Sequence, residues 1–184
     1  MATTVRERLE RALAERQLVR IDRRLDFADR EDGFVVALGT KWLLLNRVVD
    51  GGHPDGFLAM RRRDVRSVTR DRSFATTVAQ TLPSWPPTAP VGIDLDSTAG
   101  LLASLEGVDG LIGVEKQRER RALWIGRLAG VDGKRLTLRE LDTRARWRKK
   151  PTVYKLGELT SVQFGDRYIA SLELAASAAA VQPA

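Results

Sequence analysis

The chain has 184 residues, 43% of them hydrophobic, and carries a net charge of +7. This length suffices for one domain or for two small ones, each able to bury a core of its own. The chain contains no cysteine, which excludes disulfides, thiol catalysis and cysteine-bound zinc. Its start is charged and has no apolar stretch, so we expect a cytoplasmic protein without a signal peptide or a membrane span.

The positive charge is unevenly distributed along the chain. Residues 83–109 carry four acidic groups and no basic one, whereas residues 110–184 carry 15 basic and eight acidic groups. An excess of basic side chains permits binding to nucleic acid or to another anionic surface. The second half of the chain is therefore the stronger candidate for a polyanion-binding surface.

The first 82 residues predict one helix followed by short strands. Residues 4–16 place apolar side chains on one helical face, and a threonine at the start can cap the helix. Strands are predicted at residues 18–21, 34–38, 42–49 and 57–62. The sequence His-Pro-Asp-Gly at residues 53–56 predicts a tight turn, and residues 64–67 predict a single helical turn before a last strand. Residues 74–82 predict a short helix.

A proline-rich segment separates this part from a second set of elements. Four prolines within residues 83–90 predict a semi-rigid linker. Beyond it, Ser97 is expected to cap another helix, and an Asp-Gly pair at residues 132–133 predicts a β-hairpin. Further strands are predicted at residues 111–116, 122–131, 135–141, 151–156 and 161–164. Residues 168–174 fit either a final strand or a short helix.

The two parts repeat one layout at a shift of 93 residues. The repeated positions are Gly33, Val35, Lys41, Leu43 and Leu45, matched by Gly126, Leu128, Lys134, Leu136 and Leu138. We therefore predict a first module at residues 1–82, a linker at 83–96, a second module at 97–174 and a flexible tail at 175–184. Each module has an N-terminal helix followed by four or five antiparallel strands.

This order of elements resembles the Sm-like branch of small SH3-like barrels, as found in uncharacterised bacterial proteins. The segments that carry the resemblance are Trp124-Ile125-Gly126-Arg127-Leu128, Leu136-Thr137-Leu138 and Leu159-Thr160-Ser161-Val162-Gln163-Phe164-Gly165. The resemblance implies a mainly β fold of tandem barrels. It also implies a binding or assembly module of a kind that often forms rings, in which a tandem copy could act as a built-in dimer.

The densest basic run lies in a predicted loop between two strands of the second module. Its candidate nucleic-acid-binding residues are Arg144, Arg146, Trp147, Arg148, Lys149 and Lys150. Cations release counterions from phosphates, and an indole can stack on a base. The alternative is a solvated loop with the tryptophan folded back on the barrel. Arg61 and Arg63 occupy the matching region of the first module, on one face of a strand, where Asp64 could instead pair with them.

These features favour a non-catalytic binding module for nucleic acid, RNA more than DNA. The alternative is protein–protein assembly, with strand edges at residues 111–116 or 161–164 pairing between chains. We expect no enzyme, cofactor or metal. The sequence contains neither a Walker A loop nor a Gly-x-Ser-x-Gly motif, and its one histidine, His53, lies in a predicted turn.

Overall fold

The computed structural model describes residues 3–26, 28–106, 110–117 and 122–181. The protein is mainly β, with ten antiparallel strands and four helices in these ranges. The helices are α1 (Val5–Ala14), α2 (Ala75–Thr81), α3 (Thr98–Leu105) and α4 (Arg167–Val181). The strands of the first half are β1 (Leu18–Arg23), β2 (Glu31–Leu38), β3 (Trp42–Val49), β4 (His53–Arg61) and β5 (Val65–Arg70). Those of the second are β6 (Ile112–Lys116), β7 (Trp124–Asp132), β8 (Arg135–Glu140), β9 (Thr152–Lys155) and β10 (Leu159–Phe164).

All ten strands belong to one open sheet. The strand order is β5-β1-β2-β3-β4-β10-β6-β7-β8-β9, so each half of the chain contributes five adjacent strands in the same internal order. The two halves join where β4 pairs with β10, with Ala59 opposite Val162. The sheet is not closed, because β4 pairs with the other half instead of with β5. The outer strands are β5 and β9.

Local signals explain where the helices begin. In α1, the Thr4 hydroxyl accepts the N–H of Glu7 at 3.2 Å, and the Glu7 carboxylate accepts the N–H of Thr4 at 2.8 Å. This capping box satisfies two N–H groups that the helix itself leaves unpaired. Ser97 caps α3 in a similar way through the N–H of Gly100, at 2.8 Å. Both predicted caps are confirmed.

The repeat seen in the sequence is also a repeat of backbone irregularities. A bulge in β2 between Val35 and Ala37 recurs in β7 between Leu128 and Gly130. A 3₁₀ turn precedes the last strand of each half, at Arg62–Asp64 and at Leu156–Glu158. Gly33 and its counterpart Gly126 both lie where a Cβ atom would overlap a carbonyl oxygen of the neighbouring strand. The repeated glycines therefore allow close strand approach two residues before each bulge.

The largest core cluster contains residues of both halves. Trp42, Leu44 and Ala59 of the first half pack with Leu101 and Val162 of the second, all fully buried. The Trp42 indole also donates a hydrogen bond to the Thr98 hydroxyl on α3, at 3.3 Å. Because this core is shared, the packing of each half depends on the other.

The linker at residues 83–96, which includes the proline-rich segment, packs against the first half. Its Leu95 carbonyl accepts the N–H of Trp42 at 2.9 Å, and the Asp96 carboxylate accepts the N–H of Thr40 at 2.7 Å. Trp85 packs edge-on against Phe34, with 5.5 Å between ring centroids. These contacts hold the segment in place at both of its ends.

Three local predictions differ from the structure. The helical turn predicted at residues 64–67 lies at Arg62–Asp64, and Val65–Arg70 forms β5. The turn predicted at residues 53–56 lies inside β4, and the chain reverses at Asp50–Gly52, where all three residues have positive φ. Two adjacent glycines adopt that conformation at little cost, so they place the turn before the His-Pro-Asp-Gly sequence. The residues from 175 to 181, predicted as a tail, continue α4, with Ala176 buried. Residues 182–184 lie outside the described ranges.

Candidate nucleic-acid interface

The basic run lies in an ordered loop between β8 and β9. Leu141 and Trp147 form an isolated antiparallel bridge across the loop. On either side of it, the Arg148 N–H donates to the Glu140 carbonyl and the Asp142 N–H donates to the Arg146 carbonyl, each at 2.9 Å. The loop therefore extends the β8 strand by a short hairpin, and its cations have defined positions.

Asp142 organises the tip of this loop. One carboxylate oxygen accepts the N–H groups of Arg144 and Arg146 at 2.9 and 3.0 Å. The other accepts the Arg146 guanidinium at 2.8 and 3.0 Å. The hydrogen bond from the Arg146 N–H, followed by the one from its guanidinium, lowers the pKa of Asp142 to about 2. Asp142 therefore stays ionised and neutralises Arg146 at physiological pH.

Replacing Asp142 with alanine is expected to destabilise the fold in a pH-dependent manner. The pKa of Asp142 is lower in the folded chain than its ordinary value of about 4, so its contribution is complete above that value and is lost as the pH falls towards about 2. We expect the difference in urea midpoint between the wild type and D142A to be constant from pH 5 to 8 and to shrink below about pH 4. Asp26→Ala is the control, since Asp26 is exposed and makes no hydrogen bond or ion pair within the described residues. Equal losses for both variants would contradict this assignment.

Arg148 anchors the base of the loop. Its Nε atom lies 3.1 Å from the Glu140 carboxylate, which is 3% exposed. The Tyr154 hydroxyl donates to the same carboxylate. Burial, followed by this hydrogen bond, raises the pKa of Tyr154, so the phenol remains a donor. Arg148 thus compensates a buried charge, and its removal would leave that charge unpaired.

Trp147 is half-buried and packs against the core cluster formed by Ile125, Leu141, Ala145 and Ile169, among others. Two guanidinium groups lie near its ring, that of Arg139 at 4.9 Å and that of Arg127 at 5.8 Å. This packing matches the alternative of a tryptophan folded back on its module, and stacking on a base stays a prediction. The ring holds two cations beside the loop through cation–π contacts.

Four cations of this surface remain available to a ligand. Arg139, Arg144, Lys149 and Lys150 are exposed and form no ion pair with any described residue. We call them the loop cations. By contrast, Arg127 pairs with Glu173 at 3.0 Å, and Arg146 and Arg148 pair with acids of the loop itself. Free charge on this surface is thus concentrated in fewer residues than the sequence predicts.

Arg127 and Arg139 were missed by sequence reasoning, because neither belongs to the dense basic run. They lie directly opposite each other on β7 and β8. On β8, Arg139 lies between the buried residues Leu138 and Glu140, so its side chain points to the opposite, exposed face of the sheet. The cross-strand register could have revealed them, but that register depends on the bulge in β7.

The two arginines predicted in the first module have different roles. Arg61 is 2% exposed, so little of its side chain is accessible to a nucleic acid, and the contact stays a prediction. Its guanidinium pairs with Asp64 at 2.5 Å and donates to the Gly157 carbonyl of the second half at 3.3 Å. Arg63 is exposed, with its Nε atom 3.8 Å from Asp64. A 3₁₀ turn begins after Arg61, and it breaks the strand alternation that would have placed the two on one face.

Comparisons of the chain with protein-family models, curated proteins and solved structures returned no match. Within the described ranges, none of the helices has the length and apolar character that crossing a bilayer requires. In the same ranges, no three histidine or acidic side chains come together as metal ligands would.

Proposed function

We propose that the protein is a non-catalytic nucleic-acid-binding module that contacts phosphates through the loop cations. The observation that supports this most directly is a set of four exposed cations that form no ion pair among the described residues, three of them on the ordered loop and Arg139 on the adjoining strand β8. The Asp142 and Glu140 contacts hold that loop in one conformation, so little ordering entropy is lost on binding. Such a surface attracts phosphates irrespective of base sequence.

Single-stranded RNA is the ligand we favour over DNA, following the resemblance to Sm-like modules. The repeated strand order, the repeated 3₁₀ turn and the helix before each set of strands support assigning each half to that branch of small barrels. Because Trp147 is engaged by two arginines, base stacking contributes little to this proposal. Affinity is expected to depend on salt and weakly on base composition.

Fluorescence anisotropy of a labelled oligouridine, titrated with the protein at several salt concentrations, tests the proposed function. We expect the logarithm of the affinity to fall linearly with the logarithm of salt concentration, and a DNA strand of equal length to bind less tightly. Absence of binding at low salt would refute the proposal. Stronger binding to DNA than to RNA would refute the preference only.

Assembly between chains was the alternative function. The two edges predicted for it are occupied within the chain, because β6 lies between β10 and β7, and β10 lies between β4 and β6. The free edges are those of β5 and β9. The β4–β10 junction shows how they would pair, since β5 corresponds to β10 and β9 to β4 at a shift of 94 residues, one more than in the earlier strands of the repeat.

Like charges oppose this pairing. By analogy with the β4–β10 register, Val68 would face Val153 and Arg70 would face Pro151, which has no N–H to donate. Basic residues would lie along both edges, Arg66 and Arg70 on one chain and Lys150 and Lys155 on the other. We therefore expect the wild-type chain to be monomeric.

Reversing the charge of one edge is expected to permit association. In an R66E/R70E variant, the carboxylate at position 66 would face Lys155 of a second copy and the one at position 70 would lie beside Lys150. Each complementary pair adds about 0.2–1 kcal/mol. Sedimentation velocity should show concentration-dependent dimers and longer species for this variant. Adding K149E, K150E and K155E makes both edges acidic and should restore the monomer. A wild type that associates as strongly as R66E/R70E would contradict the explanation.

A further inference from the structure

The outer edge of β5 has main-chain groups available for another strand. The Asp71 N–H donates to the Leu18 carbonyl at 2.9 Å. Thr69 and Ser67 lie two and four residues before Asp71, so their N–H and C=O groups also point towards β1. Alternation therefore points the N–H and C=O groups of Val68 and Arg70 away from the sheet. Of these four groups, only the Val68 carbonyl has a partner among the described residues, the Arg8 guanidinium at 3.2 Å.

The chain itself shows what this edge accepts. In the second half, Val162 and Phe164 of β10 correspond to Val68 and Arg70, and the same edge of β10 pairs antiparallel with β4. A strand laid along β5 in that geometry would thus have a direct precedent within the molecule. The sequence differs at this edge, since an arginine replaces the phenylalanine of β10.

A basic groove lies beside this edge, between α1 and β5. Its volume is about 490 Å³, and its charged lining consists of Arg8, Arg11, Glu15, Arg70 and Arg72. Glu15 accepts a hydrogen bond from Gln17. Arg11, Arg70 and Arg72 are exposed and form no ion pair in the part of the chain that the structure describes. A ligand here would meet a net positive charge, since one carboxylate lines the groove beside four guanidinium groups.

The chemistry of the edge favours a peptide over the other candidate occupants. A nucleic acid could accept hydrogen bonds from the free N–H groups, but its phosphates cannot donate to the carbonyls. Among the residues that the structure describes, no aromatic side chain lines the groove for a base to stack on. A second copy of the chain would bring the basic β9 edge against arginines. An extended peptide supplies both donors and acceptors, and acidic side chains at alternate positions would face the groove.

We infer that the β5 edge and the adjoining groove bind an acidic, extended peptide segment as an additional antiparallel strand. Its main chain pairs with Val68 and Arg70, and its carboxylates meet Arg11, Arg70 and Arg72. The peptide N–H replaces Arg8 at the Val68 carbonyl, which frees that guanidinium to pair with a carboxylate. This site is separate from the loop cations and does not depend on nucleic-acid binding.

Alternating octapeptides test this inference with the full chain. We expect a labelled Glu-Thr octapeptide to bind in an anisotropy titration and a Lys-Thr octapeptide not to bind. The groove cations are defined as Arg11, Arg70 and Arg72 of the lining together with Arg66, which lies on the same β5 edge. Their replacement by glutamine should weaken binding about tenfold or more, because several ion pairs are lost. Glutamine replacement of the four loop cations removes the same charge elsewhere and should leave peptide affinity unchanged.

Two further measurements separate strand addition from charge attraction alone. Two peptides, N-methylated at the odd-numbered or at the even-numbered amides, should differ in binding. Only every second amide of the added strand donates to β5, so one of the two peptides should lose binding and the other should keep it. Hydrogen exchange at the Val68 and Arg70 amides should slow when the peptide is bound. Equal binding by both methylated peptides, unchanged exchange, or displacement of the peptide by oligouridine in the loop-cation variant would overturn the inference.

Discussion

Replacement of the four loop cations by glutamine is expected to weaken oligouridine binding by about 10²–10³-fold near 0.1 M salt, because each phosphate contact releases a condensed counterion. The variant R139Q/R144Q/K149Q/K150Q should also show a shallower salt dependence. Single strands give a slope of roughly −0.7 per contact, so losing four contacts should reduce the slope by about 3. Anisotropy titrations between low and moderate salt measure both quantities.

The groove-cation variant is the matched control for this experiment. It removes four exposed, unpaired positive charges from the same molecule, so the net charge changes equally. If only long-range attraction mattered, both variants would lose affinity alike. Equal losses would therefore contradict localised binding at the loop, and an unchanged affinity in the loop-cation variant would exclude it.

Arg146 and Arg148 should behave differently from the loop cations. Both are paired with carboxylates of the loop, Arg146 at 2.8 Å and Arg148 at 3.1 Å. Their replacement removes charges that are already compensated, so the salt dependence should change less. Replacement of Arg148 should instead lower the free energy of unfolding, because it leaves the buried Glu140 carboxylate without its ion-pair partner. Free charge and structural charge are thus distinguishable within one loop.

Replacing Trp42 with alanine is expected to cost about 3–5 kcal/mol of folding free energy. The side chain is fully buried in the core that both halves share, and its indole N–H bonds Thr98. The cavity would form where the first half packs on α3 and β10. We therefore expect wild type and variant to unfold in one cooperative transition, with the variant midpoint lower in urea.

Trp85→Ala provides the comparison, because this tryptophan is half-buried and packs mainly against Phe34 at the proline-rich segment. It should cost clearly less than the Trp42 substitution. Tryptophan fluorescence and circular dichroism should report the same midpoint for the Trp42 variant. Two separate transitions, with one at the wild-type midpoint, would show that the halves fold independently and would contradict the role given to the shared core.

Features set by neighbouring residues were accessible from the sequence. The capping box at Thr4 and Glu7, the Ser97 cap and the Asp132-Gly133 hairpin each depend on side chains a few residues apart. The turn at Asp50–Gly52 was also encoded locally, but the adjacent His-Pro-Asp-Gly sequence offered a competing signal. Where two turn sequences are adjacent, strand pairing decides which one is used.

The role of individual cations was not accessible in this way. Arg61 and Arg63 are two positions apart, yet one is buried in the junction and the other is exposed. Trp147 was predicted as a base-stacking ring, but α4 and the strands beneath the loop provide a core cluster for it. Arg139 lies outside the dense basic run, and the pairing of β8 with β7 places it opposite Arg127. Each outcome depends on residues far away in the chain.

The sequence by itself determined that this protein is mainly β, that it contains one layout twice, and that its net positive charge is larger in the second half. These properties follow from composition, periodicity and short-range hydrogen bonding. Only the tertiary structure decided that the two halves form one open sheet around a shared core, and which arginines are free. The charge of a side chain is known from its residue type alone. Whether it is available to a ligand depends on strand pairing and burial, which involve residues distant in the chain.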